Sequence, residues 1–305
     1  METKQTKKLN GSPTLKGKQP ASLEKRFKCL FYGQAGSGKT TACIQFPKPY
    51  LIDTERGAEN DQYTRMLEKQ GGAIFQTNDF EEVLNEVKTL LSVDHDYKTL
   101  VIDPMTNVYN NLLDEFSIKV GTDFGKHYNE ANKSMKRLLN LLLRLDMNVI
   151  VTAHSKNEYG DEMKVLGQTF DCYKKLDYLF DLVVEIQKRG KKRMAVVRKT
   201  RVENFNELDA FEFSYDVIAE KYGRQILEKK SVVLKMADKE QVEELKALID
   251  LLNTPDDTVK KWLDKAGATA FEEMEQSQVQ ACIDLLAKKL TINKKEAKNE
   301  VQAAK

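Results

Sequence analysis

The chain has 305 residues, 41% hydrophobic and 31% charged, with a formal net charge of +2. That is a soluble globular balance with room for one large or two modest domains, and any basic surface for nucleic acid must be local, because whole-molecule charge does not announce one. No apolar run nears the roughly 20 residues of a membrane span, the lysine-rich start is no secretory signal, and four scattered cysteines (Cys29, Cys43, Cys172, Cys282) without a C-x-x-C pair argue against a zinc site or disulfide framework and for a reducing cytoplasm.

Residues 1–24 are polar, with scattered Gly, Pro and Ser, and read as a flexible basic tail. Strands and helices then alternate. RFKCLFY (26–32) predicts a buried strand, KTTACIQF a helix, and PYLID (49–53) a short strand. Phe80, Val83, Leu84, Val87 and Leu91 share one face of a helix over 79–93. KTLVIDPMT (98–106) is an apolar strand with a carboxylate near its end. A long helix places Met135, Leu138, Leu139 and Leu142 in register, and NVIVTAH (148–154) is another buried strand. Continuous apolar strands separated by helices imply a parallel sheet covered on both faces, the α/β class. From about residue 179 two strands flank the turn KRGKK, a hairpin expected at the far sheet edge, and FEFSYDVIAEKYGRQILEKKSVVL (211–234) reads as short irregular strands. This core spans 25–235. A three-helix module follows over 236–291: Asp238 with Gln241 suggests a capping box, and Val242, Leu245, Leu248, Ile249 and Leu252 form its first stripe. Residues 292–305 read as a fraying tail.

The stretch Gly33-Gln34-Ala35-Gly36-Ser37-Gly38-Lys39-Thr40-Thr41 follows a strand and opens a helix, the context a phosphate-cradling loop needs. Its glycines let backbone N–H groups turn toward phosphate oxygens. Lys39 supplies a point charge, Thr40 a hydroxyl for Mg²⁺, and the helix N-terminus its dipole. Asp103 ends a strand at the carboxyl edge, where ligands of open α/β sheets bind, and can anchor Mg²⁺ through water. Of the two acids in LIDTERG, Asp53 and Glu55, Glu55 is the candidate to polarise the attacking water; a solvated loop acid is the alternative. His154 could donate to a γ-phosphate, or be a structural histidine. The run KRGKKRMAVVRKTR (188–201) holds no acid, and alternation puts Lys199 and Arg201 on one strand face, aimed either at DNA or at a nucleotide on a neighbouring subunit.

GQAGSGKT, LIDTERG, LVIDPMT, VIVTAH and VVRKTR come in the order and spacing of RecA-like ATPases. Over residues 26–232 the chain resembles the compact phage-encoded members of that superfamily, linked to single-strand annealing and recombination. The resemblance implies a RecA-like P-loop core with ATP and Mg²⁺ bound at residues 33–41, Thr40 and Asp103. It puts Glu55 at the catalytic glutamate and His154 where recombinases usually carry a sensing glutamine. Lys199 and Arg201 match a basic pair that acts across a subunit interface, with Arg198 as the alternative register. Two segments match DNA-facing loops: 120–130, with Phe124, Lys126, His127 and Tyr128, and 155–170, with Lys156, Tyr159, Lys164 and Phe170. Their cations can meet phosphates and their rings stack on bases, although Glu158, Asp161 and Glu162 oppose this.

The expectation is therefore an oligomeric ATPase, located in the cytoplasm (of a host cell if phage-encoded), that binds single-stranded DNA and supports annealing or recombination. Its C-terminal helices would meet a single-strand binding or recombination protein. A helicase or helicase-loader motor, and a nucleotide-gated binding module with slow hydrolysis, are the alternatives. A DNA-stimulated ATPase rate would favour the first two.

Overall fold

The computed structural model describes residues 25–57, 61–159 and 164–303; the expected N-terminal tail lies outside them. Strand β1 (Lys28–Gly33) is buried throughout and runs through the phosphate loop into helix α1 (Lys39–Ile44). β2 (Pro49–Asp53), α2 (Asp61–Gln70), β3 (Ala73–Gln76), α3 (Phe80–Ser92) and β4 (Thr99–Asp103) follow. The helices α4 (Met105–Val120) and α5 (Lys126–Arg144) precede a long strand β5 (Asn148–Tyr159), which returns as β6 (Val165–Asp171). Next come α6 (Leu176–Leu179), β7 (Leu182–Arg189), β8 (Lys192–Thr200), β9 (Ala210–Glu212), α7 (Tyr215–Tyr222) and α8 (Arg224–Leu227). The chain closes with α9 (Lys239–Leu251), α10 (Asp256–Ala266) and α11 (Gln276–Ala303).

Among the described residues these strands join one sheet in the order β3-β2-β4-β5-β1-β7-β8-β9, with β6 paired to β5 outside that path. The six strands from β3 to β7 are mutually parallel; β6, β8 and β9 are antiparallel additions. Alternation along β1 explains why both faces are apolar. Leu30 and Tyr32 pack with Val87, Met135 and Leu139 beneath α3 and α5. Cys29 and Phe31 pack with Phe46, Ile150 and Phe213 on the other face, beside α1 and α7.

Three sequence expectations change. The hairpin β7–β8 forms, but β7 pairs directly with β1 and the short β9 takes the edge. The apolar run Leu182–Val184 suits a strand buried on both faces. The stretch after β9 is helical rather than irregular strand: the Ser214 hydroxyl accepts from Val217 N at 3.2 Å, and Ile218, Ala219 and Leu227 are buried. Helix continues through 292–303, in a segment rich in the helix formers Lys, Glu and Ala.

Two buried cations tie the amino edge of the sheet. Arg26 donates to Asp146 Oδ1 (2.8 Å) and to the carbonyls of Ile226 (3.0 Å) and Lys230 (2.6 Å). Lys28 Nζ donates to the carbonyls of Leu142, Leu145 and Met147 at 2.8–3.0 Å, satisfying acceptors that the C-terminus of α5 leaves open. Burial pushes the Lys28 ammonium down to about 7, opposed by the charge of Asp146.

The C-terminal helices enclose their own core of Val242, Leu245, Phe271, Val279 and Ile283, with the expected cap in place: Asp238 Oδ1 accepts from Gln241 N at 2.8 Å. Glu273, almost fully buried, fastens this module to the core. It accepts from Arg137 Nε at 2.7 Å and lies 3.4 Å from Lys88 Nζ, while Arg144 donates to its carbonyl at 2.7 Å. Burial alone would raise the Glu273 carboxyl; hydrogen bonds from Thr269 and Arg137 outweigh it and hold the group below its ordinary value.

Two measurements check these ties. Because Lys28 binds its proton less readily when folded, the unfolded chain holds more protons between pH 7 and 10.5, so stability rises with pH in that window. Lys28→Met should flatten that rise in urea titrations, besides losing stability overall. Glu273→Ala should cost about 3 kcal/mol, the low end for breaking a buried pair because Arg137 and Lys88 stay partly hydrated. Since the Glu273 carboxyl is lowered, its contribution is present at neutral pH and fades as pH falls through the folded value. Separate melting of the C-terminal module in the mutant, against one transition in the wild type, would report the lost fastening.

Candidate nucleotide site and neighbouring grooves

Four parallel strand ends line up at the carboxyl edge in the order β2, β4, β5, β1, and each delivers one of the residues singled out above. β1 ends at Gly33 and opens the loop. A Cβ on Gly33 would fall 2.9 Å from Ser37 Oγ and closer still to the Ile186 carbonyl, so backbone packs where a side chain would stand. Gly36 (φ 70°) and Gly38 (φ 94°) lie in the left-handed region that favours glycine. Ser37 Oγ is buried without a hydrogen-bond partner among the described residues, an orphan that a bound anion or water would satisfy. Helix α1 has only six residues, so the loop's oriented N–H groups, more than a macrodipole, carry its attraction for phosphate.

Lys39 folds back on the loop, its Nζ donating to the carbonyls of Gly33 (3.0 Å) and Gln34 (3.2 Å). Burial lowers its pKa, and the charges of Asp103 and Glu55 pull it back up. Asp103, at the end of β4, is buried; its Oδ2 accepts from Thr40 Oγ1 at 2.5 Å and its Oδ1 from Thr152. Burial raises the Asp103 pKa, countered by the two hydroxyls and by Lys39. The adjacent hydroxyl and carboxylate are hard oxygen donors of the kind Mg²⁺ takes alongside phosphate oxygens and retained waters. Thr40 and Asp103 would hold the ion, which would neutralise phosphate charge when bound.

At the end of β2, Asp53 Oδ1 accepts from the backbone of Glu55 (3.1 Å) and Gly57 (3.3 Å), shaping the turn that presents Glu55. Glu55 Oε1 meets His154 Nε2 at 2.7 Å, with Asn107 Nδ2 at 3.4 Å. His154 is the cross-strand neighbour of Gly33, and its backbone N–H donates to Thr106 Oγ1 at 2.9 Å. The structure thus brings together the two residues that sequence assigned separate roles. Asn107 had no sequence signal beyond its place after the Asp103 strand.

The hairpin β7–β8 continues past the end of β1 and overhangs the phosphate loop. A groove of about 610 Å³ lies between them, walled by Gln34–Ser37 on one side and Glu185, Lys188, Arg189 and Arg198 on the other. Arg193 lies against the loop itself: a Cβ on Gly38 would sit 2.6 Å from Arg193 Cδ. Lys199 and Arg201 are elsewhere. They leave β8 at the amino edge, where Lys199 Nζ donates to the Phe180 carbonyl (2.8 Å) and Arg201 to the Tyr178 carbonyl (2.9 Å). Arg198 donates to the buried Glu185 at 2.9 Å.

The two segments expected to face DNA carry regular secondary structure among the described residues. The first is the α4–α5 junction, with Phe124 fully exposed, Lys126 and Tyr128 exposed on the first turn of α5, and the His127 ring tilted against Tyr128 (centroids 4.2 Å apart). The second is the β5–β6 hairpin: Lys156 bonds Asp171 at 2.9 Å, Tyr159 and Lys164 are exposed, and residues 160–163, with Asp161 and Glu162, lie outside the described residues. Tyr128 and Lys156 meet in a groove of about 650 Å³ with Tyr109, Tyr173, Lys174 and Lys175. The last three had no motif to mark them; their clustering is tertiary.

A protein-family model described as AAA domain (AAA_24) matches residues 25–210. The DNA repair and recombination protein RadB of Methanoculleus marisnigri is 26% identical over 199 residues, covering 59% of this chain and 82% of that protein. Among solved structures, the RadB recombinase superposes loosely, with a TM-score of 0.41 and 20% identity over 62% of this chain and 87% of that one. The family match runs from the residues before β1 to the start of β9, through every strand end described above. The chain belongs to this AAA domain family.

Proposed function

We propose that the chain binds ATP at Gly33–Thr41 with Mg²⁺, hydrolyses it, and uses the cycle to control single-stranded DNA in recombination or annealing. The observation that carries this is the Glu55–His154 pair beside the Lys39 loop. Glu55 takes a proton from water as its oxygen attacks the γ-phosphorus. The bond from that phosphorus to the bridging oxygen breaks, ADP leaves with the electron pair, and the proton passes from Glu55 to solvent. Lys39 neutralises phosphate charge, and His154 holds Glu55 while sensing the γ-phosphate.

Coupling to DNA is supported by chain continuity. His154 lies on β5, and the same strand continues into the hairpin bearing Lys156 and Tyr159. The groove of tyrosines and lysines beside it fits a single strand, with rings for bases and ammonium groups for phosphates. Kinship with a relative named for DNA repair and recombination supports the same reading. In a head-to-tail oligomer, Lys199 and Arg201 would act on a neighbour's nucleotide, since in their own chain they face the amino edge. The C-terminal helices would recruit a single-strand binding or recombination protein, and the buried free cysteines fit a reducing cytoplasm.

Lys39→Ala should abolish binding of a fluorescent ATP analogue with the melting temperature little changed, and wild-type turnover in that mutant would remove the ATP-site assignment. Glu55→Gln should keep ATP bound and slow hydrolysis by about 10²-fold or more. Tyr128→Ala should weaken single-stranded DNA binding by about 1–3 kcal/mol, and Lys174→Ala with Lys175→Ala should make the salt dependence shallower. An unchanged salt slope in filter binding or anisotropy would place the strand elsewhere.

A further inference from the structure

We infer that Arg193 is a phosphate-contacting residue acting in cis: its guanidinium, carried by the β7–β8 hairpin, meets the phosphates of a nucleotide held by the loop of the same chain. The inference rests on the reading of residues 33–41 as the ATP site and adds a residue that the basic-pair expectation passed over.

Position is the first support. A Cβ on Gly38 would lie 2.6 Å from Arg193 Cδ and 3.2 Å from its Cζ, so the side chain lies against the residue immediately before Lys39. Glycine at 38 therefore has two causes: a φ of 94°, and the room that Arg193 takes.

Anchoring is the second. The Arg193 carbonyl accepts from Phe213 N at 2.7 Å, and Phe213 is buried against Phe31 of β1. Register pairs Arg193 with Lys188 on β7, beyond the end of β1. Neighbouring strands of one sheet hold this cation over the loop, so no second subunit is needed to deliver it.

Charge is the third. Other cations of β8 are spoken for: Lys192 pairs with Glu212, Arg198 with Glu185, and Lys199 with backbone carbonyls. Among the described residues Arg193 has no carboxylate within ion-pairing distance. A guanidinium beside a phosphate loop, rigidly based and without an acid to neutralise it, is arranged for a phosphate oxygen.

The test uses the full chain with MgATP and fluorescent ATP and ADP analogues. Arg193→Ala, and Arg193→Gln in case the shorter side chain disturbs the hairpin, should lower kcat by about 10-fold or more, as loss of a charge-stabilising donor does. Each should weaken ATP analogue binding more than ADP binding. Arg193→Lys should recover part of the rate, and Lys192→Ala should match the wild type. Mixing Arg193→Ala with Lys39→Ala subunits separates cis from trans. Acting in cis, no mixture contains a site with both an intact loop and its own Arg193, so activity stays low. Recovery on mixing, or wild-type turnover in both Arg193 variants, would overturn the inference while leaving the ATP site in place. A wild-type chain that binds neither analogue would remove the ATP-site reading and this inference together.

Discussion

One buried carboxylate constrains the whole nucleotide edge. Asp103 sits at the end of β4 out of contact with bulk water, which is costly for an acid unless its oxygens are satisfied. Thr40 of α1 and Thr152 of β5 satisfy one oxygen each. Three elements must therefore be in register before the group is tolerated. The pairing of Ile102 with Val151 brings Thr152 level with Asp103, and the loop after β1 brings Thr40 from the other side. The same arrangement fixes where Lys39 begins its helix and where a divalent ion would find oxygen donors. A buried network of this kind is stiff when fully satisfied, and stiffness is what phosphate positioning requires.

β5 runs out from that edge. Its first residues are core, with Val149, Ile150 and Val151 fully buried; its middle places His154 against Glu55; its last residues pair only with β6, as one arm of a hairpin. Lys156, two positions beyond His154 on the same strand, lines the tyrosine–lysine groove. One continuous backbone carries both groups.

Helix α5 is the second shared element. Its first turn supplies Tyr128 to the groove, its middle offers Arg137 to Glu273, and its last carbonyls receive Lys28 from β1. The C-terminal module is thus attached to the helix that borders the proposed DNA path. An independent apolar core for the module, combined with one buried acid as fastening, makes the attachment specific without merging the two cores.

Much of this was written in local sequence. The phosphate loop was legible because its glycines, Lys39 and Thr40 are consecutive, and their chemistry depends on a local turn. The apolar strands ending in Asp103 and His154 were legible because full burial demands uninterrupted hydrophobic runs. β3 was not, since Ala73–Gln76 is a half-exposed strand of four residues, and neither was the helix at 215–222, whose short amphipathic pattern resembles broken strand. Strand order was beyond reach: sequence shows that β7 and β8 form a hairpin, but only packing decides that β7 pairs with β1 and swings Arg193 over Gly38. The same holds for Glu55 with His154 and for Tyr128 with Lys174. Residue types and local turns fix the candidate chemistry, while contacts between residues tens of positions apart arise from sheet register and helix packing, which no short stretch encodes.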